Sequence, residues 1–409
     1  MPTTAYIVGS LDDYLNRICE QIQLTDTQFS TAVKRYQRVG ACLTDGDTPL
    51  QRLAPKVFPQ GSMLQRTTIR PTRLGKEVLP FDIDTVCRGD VDPYSTSSQS
   101  LYGSILSRLQ DHDDFKERIA QAREEFPVSG KCIRLAYLSD DFYLDVIPAC
   151  KDPADSEGVR LLMCEPGKWN SYNRPIETWR RTDPFRFAAW LQAQTETRRV
   201  FTKEQLLANV APVPPQEPTV VKAPLRRMVQ ILKRQRDQVF LGDACRPASI
   251  MLTTLAGRNY RGETSIADGL QTILDGIAAE IAAAGSGRLV VRNPTDELAP
   301  HDGGVEDLAK PLDAAAYDKY RRSVDELRRM LDAARAARGV PELYPVLAKA
   351  LGEKVVKRAF NAAEEDVQHA STSGVLGAAA VGSGIRILTE PKVSAGVLPV
   401  RGSNFHRND

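Results

Sequence analysis

Several hallmarks of common protein classes are missing from this chain of 409 residues. No apolar run approaches the ~20 residues that a membrane-spanning helix needs, so we expect no membrane association. The opening MPTTAYIVGSLDDYLNR has no basic region followed by an apolar stretch and a small-residue cleavage site. A secretory signal is therefore not predicted, and the expected location is the cytoplasm.

Zinc centres, disulfide frameworks and phosphate-binding P-loops are not indicated either. The 7 cysteines are scattered singly, with no CxxC pair and no Cys/His cluster at zinc-ligand spacing, so we interpret them as reduced thiols. The net charge is only +2, whereas a protein that coats itself on nucleic acid needs a concentrated excess of Lys and Arg. No Walker-type G-x-x-x-x-G-K-[ST] loop occurs in the chain.

The order of patterns along the chain predicts two lobes, as its length also suggests. Helical spacing over residues 10–43 predicts two helices, and short β-branched runs between residues 57 and 147 predict one sheet, with a helix over 101–120 covering it. Later segments have helical periodicity. The predicted later helices are Phe185–Gln192, Leu225–Arg236, Ser265–Ala283, Ala315–Ala337 and Pro341–Glu364. We therefore expect an α+β core with N-terminal helices over 1–165, a helical lobe over 166–370, and a flexible tail over 371–409.

The most informative motif is the predicted strand Phe81-Asp82-Ile83-Asp84-Thr85-Val86. Alternate side chains of a strand face the same side, so Asp82 and Asp84 project together. Two carboxylates so close repel each other, and a divalent cation removes that cost by binding both. Their hard oxygen atoms suit Mg²⁺ or Mn²⁺. For an isolated Asp-x-Asp, the alternative is a solvated polar face on an edge strand.

A third carboxylate lies on a later predicted strand, Phe142-Tyr143-Leu144-Asp145-Val146-Ile147. Asp145 is surrounded in sequence by apolar residues, where an unpaired charge would cost several kcal/mol unless it met a metal or another cation. We therefore predict that Asp145 is a third catalytic and metal-binding carboxylate beside Asp82 and Asp84.

A phosphate-holding turn is predicted upstream, in Phe58-Pro59-Gln60-Gly61-Ser62-Met63. Gly61 would let backbone N–H groups approach phosphate oxygens closely, and Ser62 adds a hydroxyl donor. A Gly-Ser pair alone is usually only a turn. Gln60, Gly61 and Ser62 become candidate substrate-binding residues because they precede the carboxylates.

The order Gly61-Ser62, Asp82-x-Asp84, Asp145 resembles the polymerase-β-like nucleotidyltransferase superfamily. The segments that narrow the resemblance are FPQGSMLQRTTIRP, FDIDTV, LDVIPAC, PLRRMVQILKRQRDQVF and RPASIMLTTLAG. In content and order they are similar to the bacterial cGAS/DncV-like nucleotidyltransferases (CD-NTases), from about residue 10 to residue 300.

This resemblance implies a mixed sheet with helices, a helical C-terminal lobe and a two-metal mechanism. It implies that ATP, GTP or other NTPs are joined into a cyclic di- or trinucleotide messenger in CBASS antiphage defence, with an accessory protein acting on the C-terminal tail in some systems. Lys233 matches the family lysine that meets the triphosphate, and Ser249 matches a hydroxyl contact. The family's animal relative has a zinc insertion that has no counterpart here, so zinc-dependent DNA binding is not expected.

Other interpretations stay open at this point. Lys233 and Arg236 could form a solvated helix face. The chain could add nucleotides to a linear acceptor without a template, although the low net charge disfavours an extended RNA groove. It could also be a catalytically silent module that binds nucleotides or a partner. Nucleobase, ring size, linkage, activating signal and oligomeric state are left undetermined.

Overall fold

A mixed sheet and a bundle of helices form the two halves of the chain. The structure is a computed structural model that describes residues 9–74, 77–125, 131–165, 174–195, 208–298, 305–372, 379–381 and 384–386. Within these ranges, none of the helices is both long enough and apolar enough to cross a membrane.

The elements alternate between helices and short strands in the first half of the chain. The helices are α1 (Leu11–Ile22), α2 (Asp26–Thr44), α3 (Gly61–Gln65), α4 (Ser98–Gln110), α5 (Asp113–Glu125), α6 (Pro184–Ala193), α7 (Pro224–Val239), α8 (Ser249–Asn259), α9 (Ile266–Ala283), α10 (Pro294–Leu298), α11 (Ala314–Ala336), α12 (Val340–Leu351) and α13 (Glu353–Thr372). The strands are β1 (Lys56–Pro59), β2 (Thr72–Leu74), β3 (Glu77–Leu79), β4 (Phe81–Arg88), β5 (Ile133–Tyr137), β6 (Phe142–Lys151), β7 (Leu161–Cys164), β8 (Trp179–Thr182), β9 (Ala379–Val381) and β10 (Gly384–Arg386).

The main sheet has six strands in the order β1-β4-β6-β7-β8, and β5 pairs with β6 beside this path. β4 and β6 run parallel, whereas the other pairs are antiparallel. The burial of β4 alternates along its first half, because Phe81 and Ile83 enter the core under α2 and α4 while Asp82 and Asp84 face the other way. The predicted α+β class with a helical C-terminal lobe is confirmed.

A second hydrophobic core forms among α7, α8, α9, α11, α12 and α13, and α1 is part of it. Tyr14 of α1 stacks on Phe360 of α13 at a centroid distance of 4.3 Å. At the other end of the sheet-forming segment, β8 pairs with β7 and so extends the sheet to Thr182. The boundary that we predicted at residue 165 therefore falls inside the sheet, and α1 packs with the helices, not with the sheet as its sequence position suggested.

Two helices that the periodicity predicts as continuous are interrupted. The helix expected over 101–120 is split into α4 and α5 between Gln110 and Asp113, and the helix expected over 341–364 is split into α12 and α13. The second break lies at Gly352, whose φ of 96° ends α12. Of the tail expected over 371–409, only the end of α13 and the β9-β10 pair are described, so residues 373–378, 382–383 and 387–409 lie outside the described residues.

Candidate active site

The parallel pairing of β4 with β6 places the predicted carboxylates on one face of the sheet. Asp84 lies opposite Asp145 in the register, and Asp82 lies opposite Tyr143. Because side chains alternate along each strand, Asp82, Asp84 and Asp145 project to the same side. The structure thus brings together three residues that are separated by up to 63 positions in the sequence.

The predicted phosphate turn packs directly against this face. The backbone N–H of Gln60 donates a hydrogen bond to the carbonyl of Asp84 at 2.8 Å. Gly61, which follows, has a φ of 59°, and a Cβ atom placed on it would lie 2.1 Å from Oδ2 of Asp84. Glycine is therefore required for both its backbone conformation and the approach of the carboxylate. Ser62 lies within the first turn of α3, and its hydroxyl is 3.0 Å from Oγ1 of Thr68.

Arg134 on β5 holds the third carboxylate, and sequence analysis missed it. Its Nε and one terminal nitrogen donate to the two oxygens of Asp145 at 2.7 and 2.6 Å, and the same nitrogen lies 3.4 Å from Asp82. The guanidinium also stands over the ring of Tyr143, 4.8 Å from its centroid. Only the register of β5 against β6, which pairs Arg134 with Asp145, could have identified this contact.

The two carboxylates of β4 have raised pKa values, so they are weaker acids than a free Asp side chain. Burial together with the neighbouring Asp145 and Asp82 raises the pKa of Asp84 to about 7. Burial and Asp145 raise the pKa of Asp82 to about 6. Such shifts mark a concentration of negative charge that a cation would relieve. In the described part of the chain, no three His, Cys, Asp or Glu side chains are arranged to hold a metal ion, so metal binding by all three carboxylates stays a prediction.

Lys233 on α7 is buried rather than solvated, which excludes the alternative of an exposed helix face. Its side chain is only 4% exposed, and Nζ donates to the carbonyl of Thr67 at 2.9 Å. Burial and the nearby Arg236 lower the pKa of Lys233 to about 7. Arg236 is buried as well, and it donates to the hydroxyl of Ser249 at 3.0 Å. Ser249 is the first residue of α8, so Arg236 links two helices at the site.

A cavity of about 450 Å³ connects these groups. With the exception of Asp145, every predicted site residue contributes to its wall: Gln60, Gly61, Ser62, Asp82, Asp84, Lys233 and Ser249. Sequence analysis did not assign several other residues of this wall, namely Phe187, Arg236, Arg246, Asn293 and Thr295. The cavity wall therefore combines carboxylates from β4 with cations from α7 and the α7–α8 connection, one of which, Arg236, is paired with Asp237 of α7.

The sequence matches the family described as the Second Messenger Oligonucleotide or Dinucleotide Synthetase domain over residues 10–194. A protein of Roseivirga ehrenbergii named c-di-GMP synthase is 25% identical over 276 residues, which cover 67% of this chain and 67% of that protein. The cyclic dinucleotide synthase CdnG of Bradyrhizobium diazoefficiens is 27% identical over 380 residues, which cover 86% of this chain and 83% of that protein.

Solved structures show the same fold. The CD-NTase CdnG of Bradyrhizobium diazoefficiens in complex with GTP matches with a TM-score of 0.62 and 23% identity, over 87% of this chain and 99% of that chain. The GTP-bound form of Vibrio cholerae DncV matches with a TM-score of 0.56 and 16% identity, over 87% of this chain and 98% of that chain. At these identities, the structural likeness establishes the architecture alone.

Replacing Gly61 with alanine should impair the site without unfolding the protein. The new Cβ would force the Asp84 carboxylate away from the turn, and displacement of a catalytic group by about 1 Å can cost about 100-fold in rate. Turnover of NTPs and the unfolding temperature of the variant are the measurements. Gly103→Ala is the matched control, because a Cβ at Gly103 in α4 meets no atom within 4 Å. Equal turnover of Gly61→Ala and Gly103→Ala would show that the absence of a Cβ at residue 61 is not required for the position of Asp84.

Replacing Asp84 with asparagine should stabilise the metal-free protein at pH 8. The pKa of Asp84 is higher in the folded chain than in the unfolded chain, so its ionisation opposes folding as the pH rises from about 4 to about 7. We expect the variant to gain up to about 4 kcal/mol of unfolding free energy at pH 8, the free-energy equivalent of a pKa raised from 3.8 to about 7. The gain should shrink as the pH falls below about 7 and should vanish below about 4, where the wild-type carboxyl becomes protonated in both states. Urea unfolding at several pH values with a chelator measures this, and a pH-independent difference would refute the assignment.

Proposed function

We propose that this chain, which belongs to the cGAS/DncV-like nucleotidyltransferases, joins nucleoside triphosphates into a cyclic di- or trinucleotide and releases pyrophosphate. The domain match over residues 10–194 covers the turn and all three carboxylates. The helical half contributes the cationic wall of the cavity, including Lys233 and Arg236. Both halves are therefore needed for the proposed reaction.

One observation carries the proposal, namely the presence of both signs of charge in one cavity. Asp82 and Asp84 line it together with Lys233, Arg236 and Arg246, and Arg236 is also paired with Asp237. A nucleoside triphosphate with a divalent cation needs this combination, because carboxylates bind the cation while buried cations bind the phosphates. A solvated polar face on an edge strand would show neither the enclosing cavity nor the raised carboxyl pKa values.

The donor set fits Mg²⁺ or Mn²⁺. Asp82 and Asp84 offer hard oxygen ligands, and burial together with the neighbouring carboxylates raises their pKa values, a cost that a bound cation would relieve. Asp145 would complete the set, as the family resemblance implies. A bound divalent ion would supply positive charge that makes the attacking hydroxyl more acidic and stabilises the leaving pyrophosphate.

The residues of the chain have separate tasks in this proposal. Lys233 and Arg236 bind and orient the triphosphate, and the hydroxyls of Ser62 and Ser249, which also line the cavity, supply further donors. Asp145 accepts the proton of the attacking hydroxyl. Arg134 orients Asp145 through its two hydrogen bonds, and its contact with Asp82 reduces repulsion between the two carboxylates.

The substrates, biological role and location that we propose rest on the same family membership. We propose that ATP, GTP or other NTPs are the substrates, that the product acts as a second messenger in CBASS antiphage defence, and that the enzyme works in the cytoplasm. The relatives named for cyclic dinucleotide synthesis, and the GTP and ATP complexes of the related structures, support the substrate class. We also propose that an accessory protein acts on residues 371–409, as the family resemblance implies for some systems.

The double replacement of Asp82 and Asp84 by alanine should lower pyrophosphate release by more than about 1,000-fold. The loss of both carboxylates removes the cation site, which contributes several kcal/mol to the transition state. Pyrophosphate release from all four NTPs with Mg²⁺ is the measurement. Asp332→Ala, which removes an exposed carboxylate of α11, is the control with an unchanged rate. Undiminished turnover in the folded double variant would refute the assignment of these carboxylates.

The nature of the product separates cyclic synthesis from linear addition. Incubation with all four NTPs and Mg²⁺, followed by phosphatase treatment and mass spectrometry, should yield a product with the mass of a closed ring. A ring has no terminal phosphate, so phosphatase leaves it intact. A product that loses its phosphates and is then digested by an exonuclease would indicate a linear nucleotidyltransferase. No Mg²⁺-dependent consumption of NTPs would indicate a silent binding module.

A further inference from the structure

A second cavity, of about 400 Å³, lies beside the active site and shares α7 with it. Lys233 and Arg236 face the active-site cavity, whereas Arg234 and Gln238 line the second cavity. Successive residues of a helix are about 100° apart, so these two pairs occupy different faces of α7. The remaining walls come from the start of α13, the end of α1, the start of α2, the segment around β2, and Asp141 just before β6.

Positive charge dominates the second cavity. Among the described residues of its wall, the carboxylates are Asp141 and Glu353, against the cations Arg70, Arg73, Arg234, Lys354 and Arg358. Asp141 is already paired with Arg73. Within the described ranges, no ion pair joins Lys354 or Arg358 to a carboxylate. The cavity therefore has cationic side chains whose charge is not balanced by the described part of the chain.

Arg234 is a buried cation of this cavity whose guanidinium lacks one of its possible hydrogen bonds. The residue is 2% exposed, and its terminal nitrogens donate to Oγ1 of Thr72 at 2.6 Å and to the carbonyl of Arg70 at 3.0 Å. Its Nε is buried without an acceptor among the described residues. A buried N–H group of a charged side chain that lacks a partner is costly. Burial, with the neighbouring Arg70, lowers the pKa of Arg234 to about 10.

The first turn of α13 adds backbone donors to the same cavity. Gly352, Glu353, Lys354 and Val355 all line it. The N–H of Val356 donates to the carbonyl of Gly352 at 3.2 Å. The N–H groups of residues 353–355 precede this bond and have no acceptor within the helix. The positive end of the 20-residue α13 therefore faces the cationic cavity.

We propose that the second cavity is a binding site for a small, multiply charged anion whose phosphate or carboxylate groups bind Arg70, Arg234, Arg358 and the N-terminus of α13. None of the described lining residues has an aromatic ring, so recognition rests on charge rather than on stacking of a base. Because α7 separates this anion from Lys233, the site is distinct from the triphosphate site of the proposed function and does not depend on it.

Calorimetric titration of the intact protein with inorganic pyrophosphate, in the presence of a chelator, tests this site. A parallel titration with citrate distinguishes phosphate recognition from carboxylate recognition. Arg358→Glu should weaken binding of the better ligand at one site at least about tenfold, because it reverses the charge of an exposed cavity residue. Lys357→Glu is the matched control, with the same charge change at an exposed neighbour on α13 outside the cavity wall. It should change the affinity less than about twofold, since exposed charges act weakly at a distance.

Two results would overturn the proposal. The first is an equal effect of Arg358→Glu and Lys357→Glu, which would show a general charge effect on the surface. The second is complete loss of binding in Lys233→Met, which would show that the anion occupies only the active-site cavity. Lys354→Glu serves as a second cavity variant if the unfolding temperature of Arg358→Glu differs from that of the wild type. Failure of NTP turnover would leave these titrations unaffected, so the two proposals are tested separately.

Discussion

Asp84 and Asp145 lie side by side because β4 and β6 pair in parallel, and this pairing concentrates negative charge at the surface of a sheet. Much of the surrounding structure compensates for that charge. Gly61 has no side chain, so the turn can approach Asp84 closely. Arg134 donates hydrogen bonds to both oxygens of Asp145. Burial, together with the neighbouring carboxylates, still raises the pKa values of Asp82 and Asp84. Additional positive charge beside this carboxylate pair would therefore favour its ionised form.

Helix α7 supplies positive charge that complements these carboxylates, because three of its buried residues are cations. Lys233, Arg234 and Arg236 are all less than a tenth exposed, which is rare for these residue types. Each is held by carbonyl or hydroxyl oxygens, such as those of Thr67, Thr72 and Ser249. The helix thereby joins the sheet half to the helical half through polar contacts. Its hydrophobic residues, including Met228 and Ile231, pack in the helical core on another face.

The proximity of the two cavities follows from this arrangement. The segment from Thr67 to Arg73 accepts hydrogen bonds from α7 along its length, with Lys233 bonded to Thr67 and Arg234 bonded to Thr72. Thr72 also contacts Asp237, which lines the active-site cavity. Thr72 is therefore a shared partner of Arg234, which lines the second cavity, and of Asp237, which lines the active-site cavity. The physical link is short because one helix and one extended segment form walls of both cavities.

The sequence by itself determined most of the helices and strands and the common face of two carboxylates. Alternation along Phe81–Val86 placed Asp82 and Asp84 on one face, because alternation depends on local backbone geometry. The order of the turn and Asp145 predicted phosphoryl transfer through its resemblance to nucleotidyltransferases. Only the tertiary structure decided that Arg134 meets Asp145, that α1 joins the helical core and that Lys233 is buried. Those facts depend on strand register and on packing between distant segments. Local periodicity carries no information about register or long-range packing, which arise when the whole chain folds.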